Sequence, residues 1–144
     1  MKKNIFIIIS TIAIFLFNQS VVGAKNSYFI DGKKLFDKKK YKDSKFYFEK
    51  DIVFNPKSEN SYLYLAKIFK EEKKNKLEEI NLNTVLLLNP KNEEAIYLLT
   101  LLNIENSNFS KAKELISTLN SVCKKMCSFE LELQSKLDSS LKSE

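Results

Sequence analysis

The chain writes one phrase twice. "FNPKSENSYLYLAKIF" runs from Phe54 to Phe69 and "LNPKNEEAIYLLTLLN" from Leu88 to Asn103, 34 residues further on. A period of this length is the mark of stacked repeats, and it limits the possible folds more than any bulk property does. Pro56 and Pro90 each follow Asn and precede Lys. Tyr28, Tyr62 and Ile96 hold the fourth place of successive units, Gly32, Ala66 and Thr100 the eighth, and Phe48, Leu82 and Ile116 the twenty-fourth. Tyr41 and Phe109 share the seventeenth place, Ser44 and Ala112 the twentieth. The units are therefore 25–58, 59–92 and 93–126.

Each unit reads as two amphipathic helices joined by a tight turn. Leu65, Ile68 and Phe69 recur at helical spacing in one helix, and Leu82, Val85 and Leu86 in the next. Small residues at the eighth and twentieth places let paired helices cross closely. Pro follows the second helix because it cannot continue one, and it suits the start of the next. The second unit departs from this pattern. Asn75 stands where an aromatic residue is expected, and Glu78 where a small one is expected. A one-residue shift of that helix, with Leu77 taking the inner place, would reconcile the two. The third unit lacks the closing Pro. Beyond it, Phe129, Leu133, Leu137 and Leu141 are spaced by four, with Leu131 nearby and Glu132, Lys136 and Asp138 on the other face. A capping helix over 127–144, apolar inside and polar outside, closes the end that a repeat stack leaves bare. The expectation is seven helices after residue 24.

The places held by Tyr28, Gly32, Tyr41, Ser44, Phe48 and Pro56, and again by Phe109, Ala112, Ile116 and Leu119, resemble the tetratricopeptide repeat (TPR) family. The resemblance spans Lys25 to about Met126 and implies an all-α, TPR-like solenoid of three repeats plus the capping helix. A fainter likeness, carried by the paired cysteines and the Glu-containing last helix, is to the short exported bacterial members. The family's geometry implies a groove lined by the first helix of each unit. Carried over, that groove takes Phe29, Lys33 and Phe36, then Leu63, Lys67 and Lys70, then Tyr97, Leu101 and Ile104. Such a surface suits a protein or peptide partner with apolar side chains and some negative charge. Some TPR proteins grip a terminal carboxylate with Lys and Asn; here Phe29, Tyr64, Glu94 and Leu98 stand where most of that set would lie, so that mode is not expected.

The first residues carry a different message. Lys2 and Lys3 precede an apolar run from Ile5 to Phe17, and Val22-Gly23-Ala24 offers small residues for a peptidase. Residues 1–24 read as a signal peptide cleaved after Ala24. The run is short for a span of about 20 residues, though an uncleaved anchor is the other reading. The periplasm is the expected location. Losing Lys2 and Lys3 takes the formal charge from +6 to +4.

In an oxidising compartment Cys123 and Cys127 fit a structural disulfide. Four residues apart on one helical face, their Cα atoms would lie about 6 Å from each other, within bridging range. Free buried thiols and a redox-active pair are the alternatives.

No catalytic group stands out. The chain has no His, and after the signal its one Gly is Gly32, so the usual base, the usual metal ligand and any Gly-rich phosphate loop are missing. Two Cys make no zinc site. No enzyme, cofactor or metal is expected. Two roles remain: a non-catalytic scaffold binding a protein or peptide, or an envelope-associated protein whose Lys33, Lys34, Lys38, Lys39, Lys40, Lys42 and Lys45 meet anionic lipid or another polyanion. Nucleic acid is not expected, since the chain is exported and lacks Arg, the preferred phosphate fork. Membrane contact would come only through that Lys cluster or an uncleaved signal, and the oligomeric state is not legible.

Overall fold

The structure, a computed structural model, describes residues 24–142. The signal segment expected at 1–24, apart from Ala24 itself, lies outside the described residues. Among the described residues there are seven helices: α1 (Ala24–Asp37), α2 (Tyr41–Phe54), α3 (Glu59–Glu71), α4 (Asn75–Leu88), α5 (Glu93–Glu105), α6 (Phe109–Val122) and α7 (Phe129–Leu141). Helices α1 and α2, α3 and α4, and α5 and α6 pack as pairs. The described residues divide into two compact units, with the boundary between Pro56 and Lys57.

The turn inside each pair is the same. Lys39, Lys73 and Ser107, at equal repeat places, adopt φ of 57°, 55° and 56°. This left-handed step lets the backbone cap the helix before it. The amides of Lys39, Lys73 and Ser107 donate to the carbonyls of Phe36, Lys70 and Ile104 at 2.8, 3.0 and 3.0 Å. The next amides, of Lys40, Lys74 and Asn108, reach back to Leu35, Phe69 and Asn103 at 2.9, 2.8 and 2.8 Å. Carbonyls left over at a helix end are satisfied in this way.

In the first unit the eighth and twentieth places meet. A Cβ on Gly32 would stand 2.8 Å from Phe48 Cε1, and the buried Ser44 hydroxyl donates to the Gly32 carbonyl at 2.8 Å. In the second unit Ala66, Thr100 and Ala112 are likewise buried. The expected shift of α4 does not occur. Glu78 is 2% exposed and Leu77 41%, so the carboxyl occupies the inner place. The reason lies further along the helix. Leu82 and Val85 are fully buried, and a one-residue rotation, about 100°, would drag both out of the core.

Two glutamates at the first place of their repeats hold the turn that follows. The Glu59 carboxylate accepts from the side-chain amides of Asn89 and Asn92 at 3.2 and 3.1 Å. Asn92 in turn caps α5, accepting from the Ala95 amide at 2.9 Å. Glu93 accepts from the backbone amides of Lys125 and Met126 at 2.9 and 2.7 Å. Lys124 stands where Pro56 and Pro90 close the earlier repeats. That turn is instead bracketed by Cys123 and Cys127, which sit between α6 and α7 rather than on a helical face. Their Cα atoms are 5.2 Å apart and their sulfurs lie at bonding distance, 2.12 Å.

Helix α7 packs on α5 and α6, with Leu133 and Leu137 fully buried. Phe129 meets the Tyr97 ring edge-on at 5.2 Å between centroids. Leu131 points outward, and Leu141 is partly exposed.

Candidate functional site

The nine groove candidates divide between the units, three in the first and six in the second. In the first, Phe29 and Phe36 are half-buried and Lys33 is exposed. Phe29 tilts against Phe48 with centroids 5.8 Å apart, Phe36 against Tyr41 at 5.4 Å. Both rings therefore serve the α1–α2 packing while keeping one side toward solvent. Lys33 pairs with Asp37 one turn along at 2.9 Å.

In the second unit the six candidates part company. Leu63 is 4% exposed and belongs to the core cluster. It offers a partner almost nothing, because its place on α3 turns toward the Ala66 side rather than outward. Lys67 spans α3 and α5, meeting the Glu94 carboxylate at 2.6 Å and lying 4.6 Å from the centre of the Tyr64 ring. Lys70 is half-buried and acts electrostatically on Glu78. Burial pushes the Glu78 carboxyl up to about 7; Lys70 opposes that rise and Glu105 adds to it. Tyr97 is held at both ends, by Phe129 and by its hydroxyl, which donates to Glu132 Oε1 at 3.2 Å. Burial, and then that carboxylate, raise the Tyr97 phenol above its usual range.

Leu101 and Ile104 come together in an open cleft between α5 and α7 of about 350 Å³, with Glu105, Ser135, Lys136, Ser139 and Ser140. Its floor is apolar and its rim holds one charge of each sign. Ser139 and Ser140 bond their own helix, donating to the carbonyls of Ser135 and Lys136 at 2.7 and 3.0 Å. The α7 residues of this cleft were missed in the sequence, where that helix read as a plain cap. The available signal was the spacing of Ser135 and Ser139, one turn apart and on the side of the helix away from Leu133 and Leu137, with Lys136 and Ser140 at the edge between the two sides.

Among the described residues no three of His, Cys, Asp and Glu converge to hold a metal, and none of their helices is long and apolar enough to cross a membrane.

Repeated helical pairs, a small residue at the crossing and a closing helix define a helical-hairpin repeat protein. The fold is that of the tetratricopeptide repeat, all-α as the sequence pattern implied. The Yersinia enterocolitica type III secretion chaperone SycD, in complex with a peptide of the translocator YopD, superposes with a TM-score of 0.74 at 13% identity over 88% of this chain and 100% of that one. The first TPR of Spaghetti (RPAP3), bound to an HSP90 peptide, gives 0.71 at 17% identity over 83% and 91%. The TPR2B domain of yeast Sti1, in a complex with pHsp70, gives 0.72 at 13% identity over 83% and 98%. No protein-family model matches the chain and no curated protein does.

Proposed function

We propose that this chain is an exported, non-catalytic scaffold that holds a segment of another protein against the inner helices of its second unit. The α5–α7 cleft carries this reading: an apolar floor of the half-buried Leu101 backed by Ile104, which at 8% exposure belongs mainly to the core, rimmed by Glu105 and Lys136. A pocket of this kind takes one apolar side chain as an anchor while polar groups at its edge orient the backbone. TPR structures of similar fold are described with bound peptides, which supports a peptide as the occupant. The preferred segment differs from a strongly acidic one. Lys67 is engaged by Glu94 and Lys136 lies 3.9 Å from Glu132, so little unopposed positive charge is left on this face.

A peptide array tests the reading. Peptides with a single apolar anchor between polar residues should bind the wild type. Binding should be lost in Ser139→Trp, which fills the cleft from an exposed position, and in Leu101→Ser. Unchanged capture by both variants, with helix content intact, overturns the reading.

Export is the second half of the proposal, and it rests on the sequence of residues 1–24. Lys25 should be the N-terminus of protein purified from the envelope; Met1 there would favour an anchored scaffold. Cys123 and Cys127 should then resist alkylation until reduced, as a disulfide formed in an oxidising compartment would.

A further inference from the structure

The first unit carries a surface that the peptide reading does not use. Residues 25–56 hold nine Lys against five acidic residues, while 57–144 hold thirteen of each. The whole +4 of residues 25–144 thus belongs to the first unit. Its densest part is 38–46, with five Lys and one Asp. Phe46 is 59% exposed and Val53 74%, both on the side of α2 opposite its buried Ser44, Phe48 and Asp51. Lys50 lies among aromatic rings beside them, 4.4 Å from the centre of Tyr28 and 5.9 Å from that of Phe46. The exposed Phe54 stacks on Tyr28 at 5.5 Å. A hollow of about 440 Å³ next to Phe46 is lined by Leu35 and Tyr47, with Lys42 and Asp43 at its edge.

We propose that the outer face of α2 docks on an anionic phospholipid surface, with Phe46, Val53 and Phe54 entering the headgroup layer and Lys42 and Lys50 meeting phosphates. The charge selects this occupant. Within α2 the three Lys are matched by Asp43, Glu49 and Asp51, and the positive excess at this end comes from Lys38, Lys39 and Lys40 just before the helix. A second copy would set two such clusters against each other, whereas an anionic lipid surface attracts the cluster and accepts the exposed aromatic and aliphatic side chains beside it. Lysine suits the position, since its stem lies along apolar groups while its ammonium stays in water. The corresponding places carry Glu114 and Ser121 in the third repeat, and the exposed Ile80 and Leu87 in the second. Exposed apolar side chains thus recur on α4, but Glu79 and Thr84 stand there where α2 has Lys45 and Lys50, so the pairing with lysine belongs to α2.

The chain has no Trp, so Phe46→Trp places a single reporter on the proposed face, and Ser117→Trp on the exposed side of α6 serves as control. The full-length chain is mixed with vesicles of phosphatidylglycerol and phosphatidylcholine, or of phosphatidylcholine alone, with brominated acyl chains as quencher. The expected result is a blue shift and quenching at position 46 with the anionic vesicles only, both reversed by high salt, and neither at 117. Adding Lys42→Gln and Lys45→Gln should weaken that salt dependence. Equal response to neutral vesicles, or equal quenching at both positions, overturns the proposal. The same blue shift with polyphosphate in place of vesicles would make this a phosphate site without lipid insertion. Loss of self-association in Phe46→Ser, without vesicle binding by the wild type, would assign the face to a second copy.

Discussion

At Gly32 the absence of a side chain decides the crossing of two helices. A methyl group there would press on the Phe48 ring at 2.8 Å, and Phe48 is itself fully buried. Gly32→Leu should therefore overpack the α1–α2 crossing and lower stability by about 1–3 kcal/mol, read as a fall in urea midpoint. Gly32→Ala should cost less, because the helix gains up to about 1 kcal/mol from losing a glycine. Glu78 is the opposite case, a large charged group at a place that elsewhere holds Ser44 or Ala112. Its carboxyl, lifted from 4.5 to about 7, binds its proton more tightly folded than unfolded. The unfolded chain releases that proton first, so stability falls as pH rises from about 4.5 to about 7 and stays low above that. The loss is at most about 3 kcal/mol. Glu78→Ala should raise the melting temperature at pH 8 by several degrees and flatten its decline between pH 5 and 8. An unchanged pH profile would mean that the carboxyl is not what titrates. Gly32 was legible because a small residue at a repeat place has one evident use. Glu78 was misread because its chemistry argued for a shift, while Leu82 and Val85 held the frame.

Helix boundaries were legible at the scale of elements because the period constrains all three repeats at once. Starts at Tyr41, Asn75 and Phe109 are 34 residues apart, although Asn75 alone gives no sign of an inner aromatic. The turns were less legible. Lys39, Lys73 and Ser107 hold positive φ without the glycine that usually announces it, and Lys pays a steric cost of about 1–2 kcal/mol there. Lys73→Gly should relieve part of that strain and stabilise by up to about 1 kcal/mol after the extra flexibility of glycine is counted, measured in the same urea titration. Glu93 acts on the next element. Its two backbone amide bonds, first that of Lys125, hold its carboxyl below the usual range. Its hold on the cysteine-bracketed turn is thus present at neutral pH and lost as acid protonates it. Amide exchange at Lys125 and Met126, corrected for intrinsic rates, should quicken in Glu93→Gln at pH 7 and in the wild type only in acid.

For the molecule as a whole, charge and binding surface part company in a way the total of +6 conceals. The repeat showed which helices face inward, yet it could not show that Lys67 is engaged by Glu94 or that α7 completes a cleft with α5, since both depend on partners about 30 residues away in sequence. The second unit is formally neutral over residues 57–144, so long-range attraction contributes little to a peptide approaching its cleft. Affinity there should change less than about twofold between low and physiological salt, because only charges with unopposed fields are strongly screened. The contribution of Leu101 is contact made after arrival. Leu101→Ala should leave the association rate nearly unchanged and shorten the lifetime of the complex, as truncating an apolar anchor usually does. Lys136→Ala, at the rim, should alter both rates little, since Glu132 already faces it. Stopped-flow association and dissociation on one array-selected peptide would separate these effects. A large salt-dependent fall in association rate for Lys136→Ala would mean that the cleft recruits an acidic segment by charge, and that Glu132 and Glu105 do not balance this rim in solution.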